Sequence, residues 1–142
     1  KGLPWIASID KFQHWIYTNP KHTLEERYAY WMQISKDFGT GVVDYSGLES
    51  NLQRSWQAQL HLYEVPFYYI EYGIAQLGAL QLWAQSRKDF PGTLRAYRSA
   101  LAFGGSRSLP ELFAAAGIRF DFSRETIAPL VSHLENVWEE YL

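Results

Sequence analysis

The sequence predicts an all-α fold. Apolar residues recur at helical spacing along most of its 142 residues, and no segment alternates apolar and polar side chains over the length of a strand. Capping patterns and proline or glycine breaks bound the periodic stretches. The expected architecture is an irregular bundle of about six to seven helices, with no repeat, linker or low-complexity stretch, read as one helical unit over residues 1–142.

The first helix is expected over roughly Pro4 to Thr18, with Ile6, Ile9, Phe12 or Gln13, and Ile16 on one face. Asn19-Pro20 ends it, because the residue before a proline is pushed out of the α region. Thr23 with Glu26 three residues on forms a capping box for a second helix, where Leu24, Tyr28, Trp31, Ser35 and Phe38 repeat at steps of four and three. Gly39-Thr40-Gly41 stops it. A third helix is expected from Ser46, with Glu49 in the box position and Leu48, Leu52, Trp56, Gln59 or Leu60, and Tyr63 as its buried stripe, ending at Pro66. The fourth, Phe67 to about Arg87, is the most apolar and is placed at the centre, closed by Asp89-Phe90-Pro91-Gly92. Two shorter helices follow, about Thr93 to Ala102 and Leu109 to Ala116, separated by Gly104-Gly105-Ser106 and ended by Gly117. The last begins at about Ser123 or Thr126 and runs to the chain end, with Ile127, Leu130 or Val131, Leu134, Val137 or Trp138, and Tyr141 on one face; Pro129 suits only a first turn or a kink.

Charge and composition exclude several function classes. Lys+Arg 13 against Asp+Glu 15 gives a net charge of -2 with no basic block, so nucleic acid is not an expected partner. The sequence holds no cysteine, which removes disulfides, thiolate nucleophiles and Cys-based zinc sites and makes the cytoplasm the default location. No secretory signal opens it, and the longest apolar stretch, Val65 to Trp83, holds Glu71, Gln76 and Gln81, which would be costly in lipid. No membrane association is expected. Charged residues make up 20%, below the usual share of roughly 25%, so some of the surface belongs against something else. The first residue is Lys1 and not Met, which hints at a piece of something longer.

Zinc peptidase chemistry needs two imidazoles on one helical face with a carboxylate base between them, the spacing HExxH, and it is absent. No nucleophilic Ser sits in a GxSxG turn. His22 with Glu25 and Glu26, and His61 with Glu64, stand at helical contact spacing, yet a carboxylate-rich bundle site wants Glu-x-x-His twice and here the order is reversed. These are read as surface pairs, with no metal ligand in the chain.

The stretch from His61 to Gln76 mixes polar-tipped side chains into an apolar run. Tyr69, Tyr72 and Gln76 share one helical stripe that Trp83 extends, a row of hydrogen-bond donors that either lines a cleft or forms an internal polar seam. Glu71 lies off that stripe and is expected to need a partner such as an Arg or backbone amides. Gly73 and Gly78 are expected to permit close helix approach, and Gly104-Gly105-Ser106 to be a plain turn or else a mobile loop near a cleft.

Three strings, Asp10-Lys-Phe-Gln-His-Trp-Ile-Tyr17, Val43-Asp-Tyr-Ser-Gly-Leu-Glu49 and the long run from His61 to Trp83, resemble the C-terminal part of oligoendopeptidase F and its thimet-type relatives. Gly104-Gly105-Ser106 with Ser108-Leu-Pro-Glu-Leu-Phe and Ala116-Gly117 is similar to the closing segment of that family. The resemblance spans nearly the whole chain and implies a zinc metallopeptidase with a larger, largely helical, deep-channel fold that cleaves short peptides. Its HExxH helix and further Glu ligand would lie upstream, so zinc belongs to the intact enzyme and this chain alone should be inactive. By the same resemblance His61, Tyr69 and Tyr72 match residues that donate hydrogen bonds to the substrate and the developing oxyanion, and Tyr63 and Gln76 are weaker candidates for substrate contact. The implied partners are short peptides and a missing N-terminal peptidase half, whose absence would leave an apolar face open to homodimerisation. The alternative of a different class is a stand-alone, non-catalytic helical module that binds peptides or a partner protein.

Overall fold

A computed structural model describes residues 2–142 and contains, among them, eight α-helices, one 3-10 turn and no strand. The all-α class holds, with one helix more than expected because the third is broken. None of these helices is long and apolar enough to cross a membrane. The chain divides into two compact units, one ending at Ile74 and the other spanning Ala75–Leu142.

In the first unit, α1 (Gly2–Thr18) and α2 (Leu24–Phe38) are joined by a short connection. The ion pair Lys11–Asp37 at one end and the stacked rings of Trp15 and Tyr30 at the other show that they run antiparallel. Thr18 Oγ1 and Asn19 Nδ2 donate to the carbonyls of His14 and Trp15, so side chains close α1 where proline forbids another turn. The capping box of α2 forms as expected: the Thr23 amide donates to Glu26 Oε2 at 2.7 Å and the Glu26 amide to Thr23 Oγ1 at 3.2 Å. Ile9, Phe12, Trp31, Ile34 and Trp56 make the core, with Phe12 set edge-on to Trp31 at 4.9 Å.

The third helix is not continuous. Ser46 donates twice to Asp44 in a local turn, Gly47 takes a positive φ of 78°, and α3 starts only at Glu49 and ends at Arg54. A 3-10 turn follows over Ser55–Ala58, Gln59 leaves the helical region, and α4 is a single turn, His61–Glu64. The cause lies across the core. The Trp31 indole donates to the Leu52 carbonyl and to Ser55 Oγ, and Ser55 Oγ donates back to the same carbonyl at 2.8 Å, a local bond that competes with the i−4 ladder. Helix α5 (Ile70–Ser86) begins three residues later than expected, because Phe67 has φ 61° and its amide donates to the buried side chain of Gln13 at 2.8 Å. A Cβ on Gly73 would stand 3.2 Å from Ile6 Cγ2, so this glycine admits α1 close to α5.

In the second unit, Asp89 caps α6 (Phe90–Ala102), accepting from the Gly92 amide at 2.9 Å. Asp89-Phe90-Pro91-Gly92 is therefore a start as well as a stop, since proline is tolerated in the first turn. Ser108 and Glu111 form a capping box on α7 (Leu109–Ala115). Gly117 (φ 74°) then ends α7 in a Schellman motif, with the Ile118 amide donating to the Phe113 carbonyl and that of Gly117 to Ala114. Ile118, Ala116 and Ala100 are the buried core here, and a Cβ on Gly78 would lie 3.0 Å from the Phe113 ring. Gln81 of α5 clamps the Arg119 backbone in both directions at 2.9 Å. Asp121 accepts from Ser123 and Thr126 at the entrance of α8 (Arg124–Glu139), which ends before the chain does and carries Pro129 at its sixth residue, past the first turn. Gly104 has φ 53° with open space around it, a plain turn.

Candidate functional site

The break after the 3-10 turn and the Pro66-Phe67 turn fold the chain back so that residues from α4, the following loop and the first turns of α5 meet. His61 lies half-buried among three tyrosines. Its ring centroid is 4.8 Å from Tyr69, 5.8 Å from Tyr72 and 6.3 Å from Tyr68, the last nearly parallel. Tyr72 stands edge-on to both Tyr68 and Tyr69. Tyr72 Oη is 3.5 Å from His61 Nε2, a long contact, while His61 Nδ1 is 2.6 Å from the Gln59 amide. Tyr69 packs against the core at the base of the cluster, and Tyr68 and Tyr72 remain 48% and 44% exposed. Imidazole N–H and phenol O–H groups are of the kind that can donate hydrogen bonds to a carbonyl.

Of the residues singled out from sequence, His61, Tyr69 and Tyr72 come together. Tyr63 does not join them: its ring stacks on Trp56 at 6.2 Å, and it is exposed. Gln76, one turn beyond Tyr72 on α5, is exposed and belongs to the second unit. The expected row of donors is not uniform, because Tyr69 precedes α5 and Trp83 is half-buried with its ring 5.0 Å from His133. Glu71 has no need of the partner expected for it. It is exposed in the first turn of α5, where a carboxylate in water meets the positive end of the helix dipole. Sequence reasoning missed Tyr68 and Gln59. A helix through Phe67 turns Tyr68 away from Tyr69, and residues two apart on a helix, such as Gln59 and His61, do not face each other.

The residues present do not fit a zinc site. Among the described residues no three His, Asp or Glu side chains gather as a metal-binding group. The Nε2 of His22 accepts from Arg27 Nε at 2.7 Å and its Nδ1 meets the Asn19 carbonyl, while His61 faces an amide and a phenol and no carboxylate.

The model of peptidase family M3 matches residues 2–131. The chain belongs to that family. Solved M3-like structures agree with it over 99% of its length. A chain solved under the name oligoendopeptidase F is 35% identical with a TM-score of 0.81, and PZ peptidase A, solved with an inhibitor, is 32% identical with a TM-score of 0.86. A further chain solved under the oligoendopeptidase F name, from Bacillus anthracis, is 29% identical with a TM-score of 0.71. The present chain spans 25%, 25% and 22% of those three, about a quarter of an M3-like fold. No curated protein matches it significantly. The resemblance drawn from the three strings therefore identifies the family correctly.

Proposed function

We propose that this M3 chain is the C-terminal part of a zinc metallo-oligoendopeptidase that hydrolyses peptide bonds in short peptides. Its share of the work is to hold the substrate and to stabilise the charge that develops on the scissile carbonyl. The zinc and its HExxH helix lie, in this reading, on polypeptide outside the present sequence. The observation that carries the proposal is the convergence of His61, Tyr69 and Tyr72 at a partly exposed place in a chain of this family. As the carbonyl carbon becomes tetrahedral its oxygen gains negative charge, and fixed N–H and O–H donors stabilise that oxygen more than the neutral carbonyl. Removing one such donor costs roughly 2.7–4 kcal/mol of barrier in acyl-transfer enzymes. Tyr63 and Gln76, both exposed, are weaker candidates for substrate contact.

The test is Tyr72→Phe in the full-length protein. The ring and its packing remain and only the hydroxyl goes, so kcat is expected to fall about a hundredfold with zinc content unchanged. Turnover equal to that of the parent protein overturns the assignment.

A further inference from the structure

We infer that Gln59 is a positioning residue that, oriented by Trp5, fixes the tautomer of His61 so that Nε2 carries the proton and points it toward the tyrosine cluster. The argument is directional. An indole N–H can only donate, and Trp5 Nε1 lies 3.3 Å from Gln59 Oε1, which assigns the oxygen of that amide to the Trp5 side. Trp5 is itself held edge-on to the buried ring of Trp31 at 5.8 Å. With its oxygen committed, Gln59 presents its NH2 to His61, and Nε2 of the amide is 2.6 Å from Nδ1 of the imidazole. The opposite orientation would set NH2 against the indole N–H, two donors face to face. Since the amide donates, Nδ1 must accept, and a neutral imidazole that accepts at Nδ1 has its proton on Nε2. That nitrogen is the one 3.5 Å from Tyr72 Oη. The chain Trp5 to Gln59 to His61 therefore turns a residue that could accept at this place into one that donates.

This inference rests on the proposed role of His61 as a donor, and the experiment separates the two. The full-length protein is labelled with 15N at histidine and its imidazole nitrogens are read by NMR well above the ordinary imidazole titration range, beside steady-state kinetics at neutral pH. In the parent protein Nδ1 of His61 is expected bare and Nε2 protonated. Gln59→Glu keeps the shape and still accepts from Trp5, but it can only accept from His61, so the proton is expected to move to Nδ1. Turnover should then fall about a hundredfold with KM little changed, as for loss of a donor used in the transition state. Should Gln59→Glu fail to fold, Trp5→Phe serves in its place: without the indole the Gln59 amide is free to turn over, and Nδ1 is expected to be protonated in a measurable fraction of molecules. A protonated Nδ1 in the parent protein, or a bare Nδ1 in the variants, overturns the inference. A proton moved to Nδ1 with undiminished turnover upholds the role of Gln59 and removes the donor role of His61.

Discussion

Trp31 is 1% exposed and serves two purposes at once: its ring fills the first core, and its N–H holds Leu52 and Ser55. Trp31→Phe keeps most of the ring and removes the indole donor, while Ser55 Oγ still donates to the Leu52 carbonyl, a loss of about 0.5–1.5 kcal/mol, whereas Trp31→Ala opens a cavity and costs about 3–5 kcal/mol. Denaturant midpoints are expected to fall in that order; a Phe variant as stable as the parent would show that the indole bonds add nothing. Asp121 offers a test of a different kind. The hydroxyl of Thr126, then the amide and hydroxyl of Ser123, all donate to its carboxylate and hold its pKa below the ordinary Asp value. A carboxyl depressed in the folded state adds stability above its unfolded pKa and loses it as pH falls through the folded one. Asp121→Asn is therefore expected to lower stability near neutrality and to flatten the acid limb of a stability–pH curve, and an unchanged limb would refute this. At this scale the clustering of His61, Tyr69 and Tyr72 follows from residues close together in the chain, and their role as donors is the proposal made above. The place of Gln59 is not legible in the sequence, because its amide oxygen accepts from Trp5, 54 residues away.

Helices announce themselves when their ends are written locally. The box at Thr23 and Glu26 and the stop at Gly117 could be read directly, since every group involved lies within a few residues. The break in the third helix could not, because Trp31 enforces it from 21 and 24 residues away. The same is true of the late start of α5, set by Gln13. Asp89-Phe90-Pro91-Gly92 was read as a terminator when it also caps the next helix, an ambiguity inherent in a proline that fits both uses. The Schellman stop makes a sharp prediction. Gly117→Ala places a Cβ in the left-handed region at φ 74°, a cost of about 1–2 kcal/mol, while the nearest atom it would meet, Gln85 Oε1, lies at an ordinary contact distance of 3.8 Å. Thermal unfolding should report that loss, and a variant as stable as the parent would argue against the left-handed backbone.

For the molecule as a whole, the quarter-length match makes a simple biochemical prediction. If the zinc ligands lie on other polypeptide, as proposed, the 142-residue chain expressed by itself is expected to release no product from short peptides at any zinc concentration. Hydrolysis that follows the purified chain through sizing would refute this. Val42, Leu101 and Trp138 are 84%, 59% and 69% exposed, and self-association that grows with concentration is expected of the isolated chain in the same sizing runs. The buried grip of Gln13 on the Phe67 amide has a consequence that can be watched in time. That N–H sits in a turn, outside any helical ladder, yet it should resist exchange with deuterated solvent for as long as α1 keeps its place, which makes one loop proton a reporter of how often the first helix lifts away.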